Sequence, residues 1–112
     1  MRKDDAVYLG QMLDMAKKAH ALINGKQRAD FDGDDALKFA VAHLIQIIGE
    51  AARRVSTESQ QLHSQIPWKA IISMRHKVVH DYMDLNEDVV WDTATKDLPK
   101  LIDQLKKIVL GT

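Results

Sequence analysis

The residues best equipped for chemistry sit in one eight-residue stretch, Arg75-His76-Lys77-Val78-Val79-His80-Asp81-Tyr82. A guanidinium, two imidazoles and a phenol suit metal-free work on a phosphodiester. Arg75 can hold a phosphate through two parallel hydrogen bonds. His76 and His80 can move protons near neutral pH. In RNA cleavage a base takes the proton of the 2′-hydroxyl, and its oxygen attacks the adjacent phosphorus. Positive charge steadies the phosphorane, and an acid protonates the leaving 5′-oxygen. Arg and His together supply all of this. The product would be a 2′,3′-cyclic phosphate, and DNA, which lacks the nucleophile, would be spared. With 5 Arg and 5 His in 112 residues, the bare spacing Arg-x4-His arises by chance in roughly one such chain in five. The motif's specificity therefore rests on its neighbours.

The rest of the composition narrows the field. A chain of 112 residues holds one domain, expected to span residues 1–112. The formal net charge of +0 argues against a protein that coats nucleic acid indiscriminately, while leaving room for a local basic groove. The absence of cysteine excludes thiolate catalysis and Cys-ligated zinc. Met1-Arg2-Lys3-Asp4-Asp5 leads into an amphipathic segment rather than a signal-peptide core. No apolar run reaches membrane-spanning length. A cytoplasmic protein is expected, working without a metal or other cofactor.

The elements that must position the motif read as helices. From Asp5 to about Ile23, Tyr8, Met12, Met15, Ala19 and Leu22 share one stripe, with Leu9, Leu13 and Ala16 beside it. Asn24-Gly25 ends this helix. A polar link from Lys26 to Asp34 carries Phe31 as an anchor, and Asp32 or Asp34 caps the next helix. That helix, Asp35 to Val55, is apolar nearly all round in its middle, as expected of a central helix or one covered by another subunit. Ser56 to Gln65 reads as irregular. A helix from Trp68 to His80 follows Pro67. Asn86 caps a last helix whose core face is Val90, Ala94, Leu98, Leu101, Leu105 and Ile108. Pro99 should kink it near Thr95 to Leu98. Four helices with short links predict an all-α, up-and-down bundle, and the wide apolar face of the second helix predicts a homodimer.

On a helix, His76 and His80 would lie about 40° apart, and Arg75 about 140° from His80. The three groups then form an arc that the long Arg side chain spans, unless the Arg of one subunit meets the His of its twin. The helix C-terminus and Asp81 would both favour a protonated His80. Plainer roles compete with these. Arg75 could pair with Asp81 or Asp84, His80 could stabilise the last carbonyls, and His76 and Tyr82 could be packing groups. Glu50 with Arg53 and Arg54 has salt-bridge spacing, or forms a charged wall facing the cleft. Lys69, Arg75 and Lys77 read as a solvated face or an RNA-binding patch. His20, His43 and His63 lack metal-ligand spacing. Trp68 and Trp91 read as core anchors.

Arg75-His76-x3-His80-x-Tyr82 resembles the signature of the HEPN superfamily, and its Tyr points to the small HepT-like toxins. The resemblance extends to Ile66-Pro67-Trp68-Lys69, Ile71 to Arg75, Asp81-Tyr82-Met83, Ile48-Gly49-Glu50-Ala51-Ala52, and Val89-Val90-Trp91-Asp92 through Asp97-Leu98-Pro99 to Leu105. It covers about Tyr8 to Val109. It implies a four- to five-helix HEPN domain that dimerises to bring two motifs into one cleft. It implies a metal-independent ribonuclease toxin whose partner is an MntA-like nucleotidyltransferase antitoxin, in a homodimer or a larger hetero-oligomer. Arg75 would bind or polarise phosphate, His80 would be acid or base, and His76 would orient the site. Tyr82 would accept AMP from the antitoxin. The rival expectation is a HEPN binding module that docks the nucleotidyltransferase, or holds a nucleotide, without cleaving RNA.

Overall fold

In the last third of the chain a single helical rod is interrupted by one wide turn. This rod comprises α6 (Glu87–Asp92), a π-helical turn (Thr93–Asp97) and α7 (Leu98–Val109). Pro99 lies in the first turn of α7. Proline donates no backbone hydrogen bond, and its ring crowds the carbonyl four residues back, that of Thr95. The expected kink is realised as a widened turn: the Leu98 N–H reaches back five residues to the Thr93 carbonyl. The Thr95 hydroxyl donates to the Trp91 carbonyl at 2.8 Å.

The computed structural model describes residues 2–81 and 84–111, and for residues 79–81 and 84 the backbone alone. Ahead of the rod stand α1 (Lys3–Ile23), α2 (Arg28–Asp32), α3 (Asp35–Arg54), α4 (Thr57–Leu62) and α5 (Trp68–Lys77). The architecture is the expected all-α bundle. α3 lies between α1 and α5, and α1 packs also on α7. This central position accounts for the broad apolar face of α3. No described helix is long and apolar enough to cross a membrane.

The polar link around Phe31 and the stretch from Ser56, which was expected to be irregular, each hold a short helix, because local capping groups organise them. In α2, Gln27 and Asp30 form a reciprocal capping box, and Phe31 is fully buried against Trp91, ring centroids 5.3 Å apart. In α4, the Ser56 hydroxyl caps by accepting from the Ser59 N–H. Ser56 in turn donates its N–H and hydroxyl to Asp5, at 2.8 and 2.7 Å, which ties the start of α1 to the end of α3. Those bonds hold the buried Asp5 carboxyl below the usual carboxylate range. Of the two caps considered before α3, Asp34 serves, accepting from Leu37 N–H. Asn86 caps α6 as expected.

The face of α1 differs slightly from expectation. Leu9, Met12, Leu13, Ala16, Ala19 and Ile23 are buried, whereas Tyr8 and Met15 only border the core and Leu22 is exposed. The stripe is rotated because α1 must meet α3 and α7 together.

The larger departure is at α5. It ends at Lys77, three residues before the expected His80. The chain then forms a short antiparallel hairpin, β1 (Val79–Asp81) with β2 (Asp84–Leu85), whose register pairs Val79 with Leu85 and Asp81 with Asp84. Asn86 N–H closes it on the Val78 carbonyl at 2.8 Å. Val78 keeps helical dihedrals and is fully buried as the pivot, and the β-branched Val79 after it favours the extended chain of β1.

Candidate active site

The last turn of α5 is held against the C-terminal half of α3, and a glycine sets the distance. A Cβ built on Gly49 would lie 3.0 Å from the Ile71 carbonyl oxygen and 3.7 Å from the Arg75 Cβ. A side chain at 49 would therefore force the helices apart. The N-terminal end of α5 is fixed independently. Ile66 and Trp68 are buried, and the Trp68 indole donates to the His63 carbonyl at 3.0 Å. Trp68 is thus a core anchor, and Trp91 packs at the core's edge.

With the helices this close, Glu50 meets Arg75. Glu50 Oε2 accepts from Arg75 Nη1 at 2.8 Å. Its other oxygen, Oε1, pairs with Arg53 and lies 3.6 Å from Arg54 Nη2. The hydrogen bond from Arg53, reinforced by Arg75, holds the Glu50 carboxyl down at about 2, against a partial loss of solvation. The carboxylate's contribution is complete above its ordinary value of 4.5 and fades only as pH falls towards 2. Glu50 thus stays charged at any pH where RNA chemistry is assayed.

Arg75 makes a second contact. Its Nε donates to His76 Nε2 at 3.2 Å. This contact and the one to Glu50 fix the plane of the guanidinium from two sides. Among the described residues, the Nη2 donors and one Nη1 hydrogen of the guanidinium have no partner. Its end, rather than its side, can accept a phosphate in two-pronged fashion.

The fold brings Arg75 and His76 together, with Arg75 one-third exposed and His76 in solvent. Arg75 pairs with Glu50, a partner 25 positions away. His80 lies in β1, beyond the end of α5, so the helical arc joining it to His76 does not apply. Its side chain lies outside the described residues, as does Tyr82 altogether. Glu50 as the partner of Arg75 went unread in the sequence; the available signal was the adjacent Gly49, an unusual residue in mid-helix. Among the described residues no three His, Asp or Glu side chains converge as metal ligands would.

Beside Arg75 runs an apolar groove of about 440 Å³ between α3, α5 and α7. Ile45, Ile48, Ile71, Met74, Leu98 and Leu101 line it, with Asp97, Lys100 and Gln104 at its rim. The π turn contributes Thr93, whose hydroxyl faces the Met74 sulfur at 3.6 Å.

Known proteins resemble this chain closely enough to place it. A Caldanaerobacter subterraneus protein named "Putative RNase" is 34% identical over 102 residues, 91% of each chain. The "Probable ribonuclease HepT" of Thermococcus cleftensis is 35% identical over 79 residues, 70% of this chain and 72% of that one. A Methanocaldococcus jannaschii protein named "Gamma-glutamylcyclotransferase and putative RNase" is 32% identical over 109 residues. That alignment takes in 97% of this chain but 49% of the archaeal one, so the chain spans about half of that relative. No solved structure matches. The model of the family described as "Ribonuclease HepT-like" matches residues 12–108, nearly the whole chain, and the protein belongs to that family.

Proposed function

We propose that the protein is a metal-independent endoribonuclease toxin that works as a homodimer and is silenced by a nucleotidyltransferase antitoxin. The observation that carries this reading is the fixed Arg75. Glu50 and His76 hold its guanidinium, and among the described residues no group occupies its end. Family membership supplies the substrate class, RNA.

In this reading the Arg75 end binds the scissile phosphate and neutralises charge as the phosphorane forms. His80 takes the 2′-hydroxyl proton or protonates the leaving 5′-oxygen. A second proton-transfer group is needed, and the twin motif of a partner subunit would supply it. His76 orients Arg75 through the contact at Nε2. Ile71, Ile72 and Met74 on α5, the helix that carries Arg75, are only half-buried. Such apolar surface beside the site supports a second copy as neighbour. AMP attached to Tyr82 would bring a negative phosphate and a bulky nucleoside close to His80 in sequence, competing with RNA for Arg75.

The test is incubation of purified protein with mixed cellular RNA in EDTA, beside His80→Ala prepared identically. Cleavage by the parent alone, leaving cyclic phosphate ends, is expected. RNA left intact by a parent shown by mass spectrometry to carry no AMP would overturn the enzyme reading in favour of a binding module. Co-production with the antitoxin should silence the parent and leave Tyr82→Phe active.

A further inference from the structure

We infer that Arg53 and Arg54 form a second phosphate subsite, which takes a backbone phosphate flanking the one bound at Arg75. The inference rests on the reading of the chain as an RNA-binding enzyme, and it names how the same site grips a strand.

The first observation is convergence. Arg53 and Arg54 close α3, and Arg75 lies in the last turn of α5, yet all three point at one carboxylate. Oε1 of Glu50 serves Arg53 and Arg54, and Oε2 serves Arg75. The guanidinium groups are therefore held around a single carboxylate. A salt bridge between neighbouring helix residues needs only one of these arginines.

The second observation is charge balance. Among the described residues three cations surround one anion, so the cluster as described carries a surplus of two positive charges. Like charges this close repel, and a further anion relieves the repulsion. A guanidinium has five donor hydrogens, so each arginine retains donors after pairing with Glu50.

The third observation is a gradient of access. Arg53 and Arg54 side chains are 47% and 53% exposed, against 33% for Arg75. The recessed cation suits the reacting phosphate, and the outer pair suits a phosphate still in solvent. Arg54 also lies over the Tyr8 ring, 6.0 Å from its centroid, which limits its freedom on that side. One small anion would need Arg75 alone. Cations set side by side match a single strand with successive phosphates.

The experiment uses uncleavable 2′-O-methyl oligonucleotides and fluorescence anisotropy over a range of salt. A dinucleotide with one phosphate is compared with a pentanucleotide, for the parent and for the double variant Arg53→Gln/Arg54→Gln. On the pentanucleotide the variant should bind more weakly. Its plot of log affinity against log salt should be shallower by about 0.7, the change for one phosphate no longer neutralised on a single strand. Dinucleotide binding should not change. Arg53→Lys/Arg54→Lys, which keeps the charge, should recover most of the slope. Equal weakening on both lengths would show that the two arginines act only through Glu50 and Arg75, and would overturn the subsite. An unchanged pentanucleotide slope would overturn it too. Failure of the enzyme reading looks different: the parent would bind the pentanucleotide with the steep slope yet leave cleavable RNA intact.

Discussion

Two corners of the molecule are built from the same ion-pair chemistry with opposite balance. Where α2 and α6 meet, Arg28 pairs with Asp32 and Asp88 at 2.8 and 2.7 Å, and Lys38 pairs with Glu87 and Asp35 at 3.0 and 3.3 Å. Four carboxylates enclose two cations, and these hydrogen bonds raise the affinity of both cations for their protons. Where α3 and α5 meet, three arginines share one carboxylate. Among the described residues the first corner has no cation left for a ligand, and the second has two to spare. An ion pair is therefore not in itself a sign of structure or of function. The surplus sign decides, together with what lies beneath. Under the first corner sit Phe31 and Trp91, ring against ring. Under the second sits a glycine that lets backbone approach backbone.

The strongest way to break this contrast is to empty the first corner. Phe31→Ala should cost about 3–5 kcal/mol, because a fully buried ring leaves a cavity. Urea unfolding should show the loss, while RNA cleavage per folded molecule stays near the parent's. Arg75→Ala is the mirror case. Cleavage should fall about 100- to 1000-fold, the usual consequence of deleting one group aimed at transition-state charge, while the Tm barely moves. If both variants lost stability and activity together, the two corners would not be separable. Gly49→Ala should show both effects at reduced size. The added methyl meets the Ile71 carbonyl at 3.0 Å, so α5 must shift at a cost of about 1–3 kcal/mol. RNA affinity should weaken as Glu50 and Arg75 separate. Arg28→Gln should have the smallest effect, a slight fall in Tm that shrinks further in high salt, because the pair is exposed.

Legibility from sequence followed the range of the forces. The long helices, the Asn24-Gly25 stop, the Asn86 cap and the core face from Val90 to Leu105 were readable, since each depends on residues a turn or two apart. The one-turn helices α2 and α4 were not, because they owe more to caps than to periodicity. The motif helix was read too long: its apolar pattern continues through Val78 and Val79, but Val78 is buried as the start of a turn into β1. Arg75 and His76 were found as candidates from residue type and the family resemblance. The bond from Arg75 to Glu50 joins positions 25 apart, and no local pattern encodes it.

The π turn at Thr93–Asp97 amounts to one surplus codon carried inside a helix. Removing one residue there, together with the Pro99 ring, would let the rod wind regularly, and because the wide turn absorbs its extra residue within a single turn, α6 and α7 would keep their faces in phase. Trp91 would stay against Phe31, and Leu101 and Leu105 would stay in the core. One residue removed elsewhere in the rod would instead turn one part against the other by about 100°. The last helix should therefore accept a change of length at this turn and almost nowhere else.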